Sequence, residues 1–166
     1  MKIFYSIFIL FAFLFSELLA QSATNLNVRL QPLQGTTSDW EFDLQLIFET
    51  TPANGVTIEV PKELSLIPVS VSVNNVALWL QNNLSLPTQD SVVAWQRVNA
   101  GIMLIFKNGL FKTGDRLNLH CIAGLSNSKF EINKVNIREI IWQNNSVTVS
   151  KNIFASGSLP QIPSRR

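Results

Sequence analysis

The sequence predicts an all-β chain, an antiparallel β-sandwich of eight to ten strands. Three observations predict it. Apolar and polar residues alternate with period two through most of the chain, which marks half-buried strands. These segments recur every 8–15 residues, divided by turns rich in Asn, Gly and Asp. No window sustains the 3, 4, 7 apolar spacing of an amphipathic helix.

The first element is a leader. Lys2 gives a positive start, Ile3 to Phe15 form an apolar run, and Ser16 to Ala20 lead to a cleavage point before Gln21. This is the three-part layout of a secretory signal. The apolar run is shorter than the ~20 residues that span a bilayer, so cleavage is expected rather than retention, and with it no membrane span. Leu18 stands where a small residue is preferred, and no Cys at the junction offers a lipid anchor. A leader ending in Ala-Gln resembles those of secreted proteins from Bacteroidota. The domain reading is therefore a signal peptide over 1–20, one β-sandwich over 21–154 and a flexible polar tail over 155–166. A 20-residue leader leaves 146 residues, one domain's length.

Asn25 to Gln31 and Trp40 to Phe48 both alternate, and the polar cluster Gln34–Asp39 joins them, so a hairpin is expected. Placing Leu30 opposite Phe42 and Val28 opposite Leu44 sets Arg29 opposite Asp43. An opposite-charge pair of that kind fixes register more than it stabilises. Gly55 to Val60 forms a third strand, stopped by Pro61. Val69–Val73 and Val76–Leu80 flank Asn74-Asn75, a two-residue link suited to positive φ, and would pair Val73 with Val76, Val71 with Leu78 and Val69 with Leu80. Residues 81–91 read as a loop.

Val92–Val98, Ile102–Lys107 and Arg116–Ala123 follow, the second nearly continuously apolar like a central strand. Asn108-Gly109 and Lys112–Asp115 are turns between the last two. Phe130–Ile132, Val135–Trp142 and Ser146–Ser150 complete the set, and the Gly and Pro beyond Ala155 mark a poorly ordered end. Such a count of strands without helices packs as two antiparallel sheets face to face or as a barrel, and the sandwich, of immunoglobulin-like or jelly-roll type, is the favoured reading. The single Cys excludes the Cys–Trp–Cys pattern of antibody domains. With its Pro-terminated strand (Val60-Pro61) and Gly114-Asp115 turn, the arrangement is similar to sandwich modules of bacterial surface proteins, such as cohesin-like, adhesin and carbohydrate-binding modules. Features this general imply no residue roles.

Composition excludes several chemistries. Thirteen basic residues against 11 acidic leave +2, too little for a nucleic-acid footprint or a polybasic membrane patch. One Cys and one His exclude an internal disulfide and a Cys/His zinc site, and no cofactor fingerprint occurs. His120 and Cys121 are strand neighbours and point to opposite faces, Cys121 inward with Leu117 and Leu119, His120 outward with Asn118. Ser–His–Asp chemistry has only His120 to use and no Gly-x-Ser-x-Gly elbow. Asp39, Glu41 and Asp43 make a carboxylate row, read as a solvated face paired in part with Arg29 rather than as a metal or glycosidase site. Asp90 and Asp115 form a weaker loop pair. No catalytic or metal-ligating residue is expected.

The four Trp residues are the feature that points to binding. Trp40 and Trp95 fall in core phase. Trp79 falls out of phase with Leu78 and Leu80, and Trp142 ends its strand beside a loop. Trp79 and Trp142 are thus the candidate binding residues, because an outward indole stacks on the apolar face of a sugar ring. The mature chain has no Tyr, which is otherwise enriched at recognition surfaces. Asn83-Leu84-Ser85 and Asn144-Asn145-Ser146 match the glycosylation acceptor pattern. The expected function is a secreted, non-enzymatic module in the periplasm or at the cell surface, binding an envelope or extracellular protein or serving as an assembly component. The alternative is a carbohydrate-binding module on polysaccharide. A hydrolase built from Asp and Glu is the third reading.

Overall fold

The computed structural model describes residues 25–36, 39–126 and 133–160. Its ten strands are β1 (Leu26–Pro32), β2 (Asp39–Ile47), β3 (Gly55–Glu59), β4 (Leu64–Val73), β5 (Val76–Asn82), β6 (Val92–Val98), β7 (Gly101–Phe106), β8 (Arg116–Leu125), β9 (Lys134–Gln143) and β10 (Ser146–Ser158). They form one sheet in the order β1-β2-β8-β4-β5-β6-β7-β3-β9-β10. The sheet curls so that its two halves face each other across one core, to which both contribute: Phe42, Leu44, Leu66, Leu117 and Leu119 from one, Ile58, Ile102, Leu104 and Ile137 from the other. Alternation is the cause. In β2 the even positions 40–46 are buried and the odd positions 39–45 half-exposed, and β8 repeats the pattern with Leu117, Leu119, Cys121 and Ala123 inward.

The first hairpin has the expected register, with Arg29 opposite Asp43 and Leu30 opposite Phe42. Asn74 and Asn75 have φ of 48° and 68°, and Asn144 and Asn145 have 51° and 57°. Both pairs therefore supply the doubly positive φ that a two-residue hairpin with right-handed twist requires. Every residue of β7 is buried. Its inward face enters the main core, and its outward face (Met103, Ile105) joins Ala94 and Ile140 in a second apolar cluster beneath Leu86, Trp142 and Val147.

Four expectations are corrected. First, the two facing halves are continuous and one pairing is parallel, because β5 pairs antiparallel with β4 at one end and parallel with β6 at the other, Trp79 opposite Val92. Second, β4 begins at Leu64, not Val69, and passes through Pro68. Proline lacks the ladder donor, and it is accommodated here because a register shift falls between Pro68 and Ser70 and β5 pairs with only Val71–Val73. Third, the same shift and the departure of β5 toward β6 leave the expected Val69–Leu80 pair unformed. Fourth, order does not end at Ala155. β10 continues to Ser158 against Lys134, and Leu159 is buried. Gly157 is a point of close approach instead of a breaker, since a Cβ there would sit 3.2 Å from Leu26 Cδ2. The strand expected at Phe130–Ile132, the leader and residues 161–166 lie outside the described residues.

Candidate functional site

The outward side chains of β1, β2, β8, β4 and β5 form rows, because directly opposed residues on adjacent strands share a face. One row runs Arg29, Asp43, His120, Ser70. The next runs Asn27, Gln45, Asn118, Ser72, Ala77. A third runs Gln31, Glu41, Ile122, Ile67. Trp79 follows Ala77 by two residues and is therefore the diagonal neighbour of Ser72 on the same face. The face lies over a shallow depression of about 800 Å³, with Pro160 at its rim.

Hydrogen bonds run along the rows. Arg29 donates from Nε (3.0 Å) and Nη2 (2.6 Å) to Asp43 Oδ2. His120 Nδ1 lies 2.8 Å from Asp43 Oδ1. An ionised carboxylate only accepts, so Nδ1 carries the proton shared with Asp43. Gln45 Nε2 donates to Asn118 Oδ1 (2.9 Å), and Asn118 Nδ2 donates to Ser72 Oγ (3.4 Å). Gln31 Nε2 donates to Glu41 Oε2 (2.5 Å). These cross-strand bonds hold long polar side chains in fixed orientations, which lowers the entropy lost when a ligand immobilises them.

Partial burial raises the Asp43 pKa, but the hydrogen bonds from Arg29 and His120 and the nearby positive charge outweigh it and hold the carboxyl below the ordinary 3.8. A depressed carboxyl pKa contributes stability that is present above the unfolded-state value and lost as pH falls through the folded-state value. Urea midpoints measured across the acid range are therefore expected to fall less steeply below pH 3.8 in Asp43→Asn than in the parent. Identical acid slopes for the two chains would contradict this assignment.

The other candidates are dispersed. Asp115 is lowered chiefly by a hydrogen bond from Asn74 Nδ2 (2.8 Å), with the Lys112 amide as its second donor (2.7 Å), and it clamps the β4–β5 turn to the loop before β8. Asp90 pairs instead with Lys107 at 2.9 Å, so the two loop acids do not meet. Burial, with Asp43 adding to it, pushes the Cys121 thiol up to about 12, so it is no nucleophile. Among the described residues no group of three or more His, Cys, Asp and Glu is placed to hold a metal, and no helix is long and apolar enough to cross a membrane.

Trp79 is 76% exposed. Trp142 is half-buried against the second apolar cluster, with its backbone N–H donating to Asn54 Oδ1 at 2.8 Å. Strands β6, β7 and β3 lie between the two, so they are not brought together. Trp40 is in the core and Trp95 packs against it. Asn83 and Asn144 are both exposed. Sequence reasoning found the Arg29–Asp43 pair and, separately, Trp79 and His120. It missed Gln45, Ser70 and Ser72 as members of one surface, although their outward phase in β2 and β4 was a usable signal.

No family model matches the chain, and no curated protein is similar to it. Among solved structures it is similar to the collagen-binding domain of Erysipelothrix rhusiopathiae surface protein RspB, at 9% identity and a TM-score of 0.47 over 85% of this chain and 47% of that one. It is also similar to the collagen-binding domain of a Staphylococcus aureus adhesin, at 8% identity and a TM-score of 0.45 over 84% of this chain and 99% of that one. The pilus backbone protein RrgB of Streptococcus pneumoniae is similar at 14% identity and a TM-score of 0.37, over 70% and 44% of the two chains. The chain thus spans about half the length of the first of these. At such identity no residue role passes from those proteins to this one.

Proposed function

We propose that the chain is an exported, non-enzymatic surface module that binds an extracellular partner, a protein or other envelope component, through the outward face of β1, β2, β8, β4 and β5. One observation carries this reading. The face holds two in-register rows of chiefly polar side chains and a third that is half polar, bonded across strands and bordered by the exposed Trp79. Binding needs no reactive group, and the residues here suit that: the thiol is buried, and the single imidazole is oriented by a carboxylate that Arg29 already holds.

Solid-phase binding to a panel of extracellular polymers, proteins and polysaccharides alike, tests the reading. Binding to at least one member is expected. It should be lost in the double variant Gln45→Lys/Asn118→Lys and kept in Ile153→Lys, which alters an exposed position on the far half. Failure to bind any member, or equal loss in both variants, overturns it.

A further inference from the structure

We propose that the ligand of this face is an uncharged polysaccharide chain lying across the strands, with Trp79 stacking on one sugar and the amide and hydroxyl rows bonding the others. This rests on the binding face proposed above and names the ligand's class.

The first argument is charge. The face carries Arg29 and Arg116 against Asp39, Glu41 and Asp43, a formal surplus of one negative charge, and Arg29 is bonded through two nitrogens to Asp43. An acidic polymer meets three carboxylates against two guanidinium groups, one of them already paired, and repulsion disfavours it. A basic partner would compete with Arg29 and His120 for Asp43 and with Gln31 for Glu41. An uncharged ligand meets neither obstacle.

The second argument is donor and acceptor pattern. Protein interfaces concentrate apolar surface at their centre and polar groups at the rim. This face is arranged the other way. Its two central rows are mostly amide, carboxylate, imidazole and hydroxyl, and its apolar residues, Ile47, Ile67, Ile122, Ala77 and Trp79, flank them, with Val69 at the β4 register shift beside Ser70. A partner that failed to match each central group would leave donors and acceptors desolvated without bonds. A sugar hydroxyl both donates and accepts, so a chain of them can satisfy Asn27, Gln45, Asn118, Ser72 and His120 without a dictated sequence of groups.

The third argument is Trp79. Its side chain is 76% exposed on a strand whose backbone is fixed on both sides, by β4 and by β6. The electron-rich face of the indole suits the C–H face of a pyranose. Four strand spacings separate β1 from β5, so the rows extend roughly 19 Å, enough for an extended oligosaccharide rather than a single sugar.

Affinity electrophoresis through gels containing laminarin, dextran, glucomannan or xylan, beside gels containing alginate or heparin, and a solid-phase assay on fibrillar collagen, test the proposal. Retardation by at least one of the four uncharged polymers and by neither acidic one is expected. Trp79→Ala should weaken that retardation at least about tenfold, with recovery in Trp79→Phe. The double variant Gln45→Ala/Asn118→Ala should weaken it as well, while Ile153→Ala leaves it unchanged. Circular dichroism of each variant separates lost binding from lost fold. No retardation by any uncharged polymer, retardation by the acidic ones, or indifference to Trp79→Ala overturns the proposal. If collagen binds instead, and the same face variants abolish that binding, the face stands and the ligand class falls. If only Ile153→Ala matters, both fall.

Discussion

Alanine at Gly101 is expected to destabilise the fold by on the order of 4 kcal/mol or more. Gly101 opens β7 at φ +141°, and a Cβ built there would lie 1.9 Å from the carbonyl oxygen of Ile58 on β3. Backbone on the neighbouring strand cannot yield as a flexible side chain can, so the two strands must separate or the residue must change conformation. Either movement breaks the β3–β7 pairing at Glu59–Gly101 and disturbs the adjacent Val60–Ala100 bond. Gly109→Ala is the matched control. Its φ is +76°, yet no atom lies within 4 Å of its built Cβ, so only conformational strain of about 1 kcal/mol is added. Thermal denaturation should place Gly101→Ala roughly 10 °C or more below the parent and Gly109→Ala only a few degrees below. Equal shifts would show that the close approach to Ile58 does not matter.

Phe48→Ala is expected to cost about 3–5 kcal/mol. Phe48 follows β2 and is wholly buried. Its ring meets Phe111 at 4.7 Å and Phe154 of β10 at 5.9 Å, and Phe111 meets Phe106 of β7 at 4.3 Å. The cluster joins the two halves of the curled sheet and includes β10, one of its terminal strands. Truncation leaves a cavity that the surrounding rings can only partly fill, since each is held by its own strand or loop. Phe48→Leu should cost distinctly less because it keeps most of the volume. Chemical denaturation of the three chains checks the order, and a cost below ~1 kcal/mol for the alanine variant would remove the cluster from its role.

Much of this architecture was legible in the sequence because its cause is local. Alternation in Trp40–Phe48 and Leu117–Ala123 states which side chains turn inward, and the Asn-Asn pair states where the chain reverses. The Arg29–Asp43 pairing follows from those two facts and a short connection. What sequence could not supply was lateral order. His120 stands between Asp43 and Ser70, and Asn118 between Gln45 and Ser72, only because β8 inserts between β2 and β4. Period-two patterning carries no information about which strand lies beside which. The parallel step from β5 to β6 was hidden for the same reason, since residues 83–91 permit either a hairpin or a crossover. Pro68 and Gly157 misled because both are punctuation in isolation, whereas one sits at a register shift and the other at a strand crossing point.

The lateral order also governs when the chain can become a folded object. β2 waits for β8, its partner on the inner side, and β3 waits for β9 as well as β7. The β1–β2, β4–β5 and β6–β7 hairpins can close early, and each alone leaves its greasy side wet. Most of the polypeptide must therefore have emerged before either layer is complete, so the closing contacts are late and long-range.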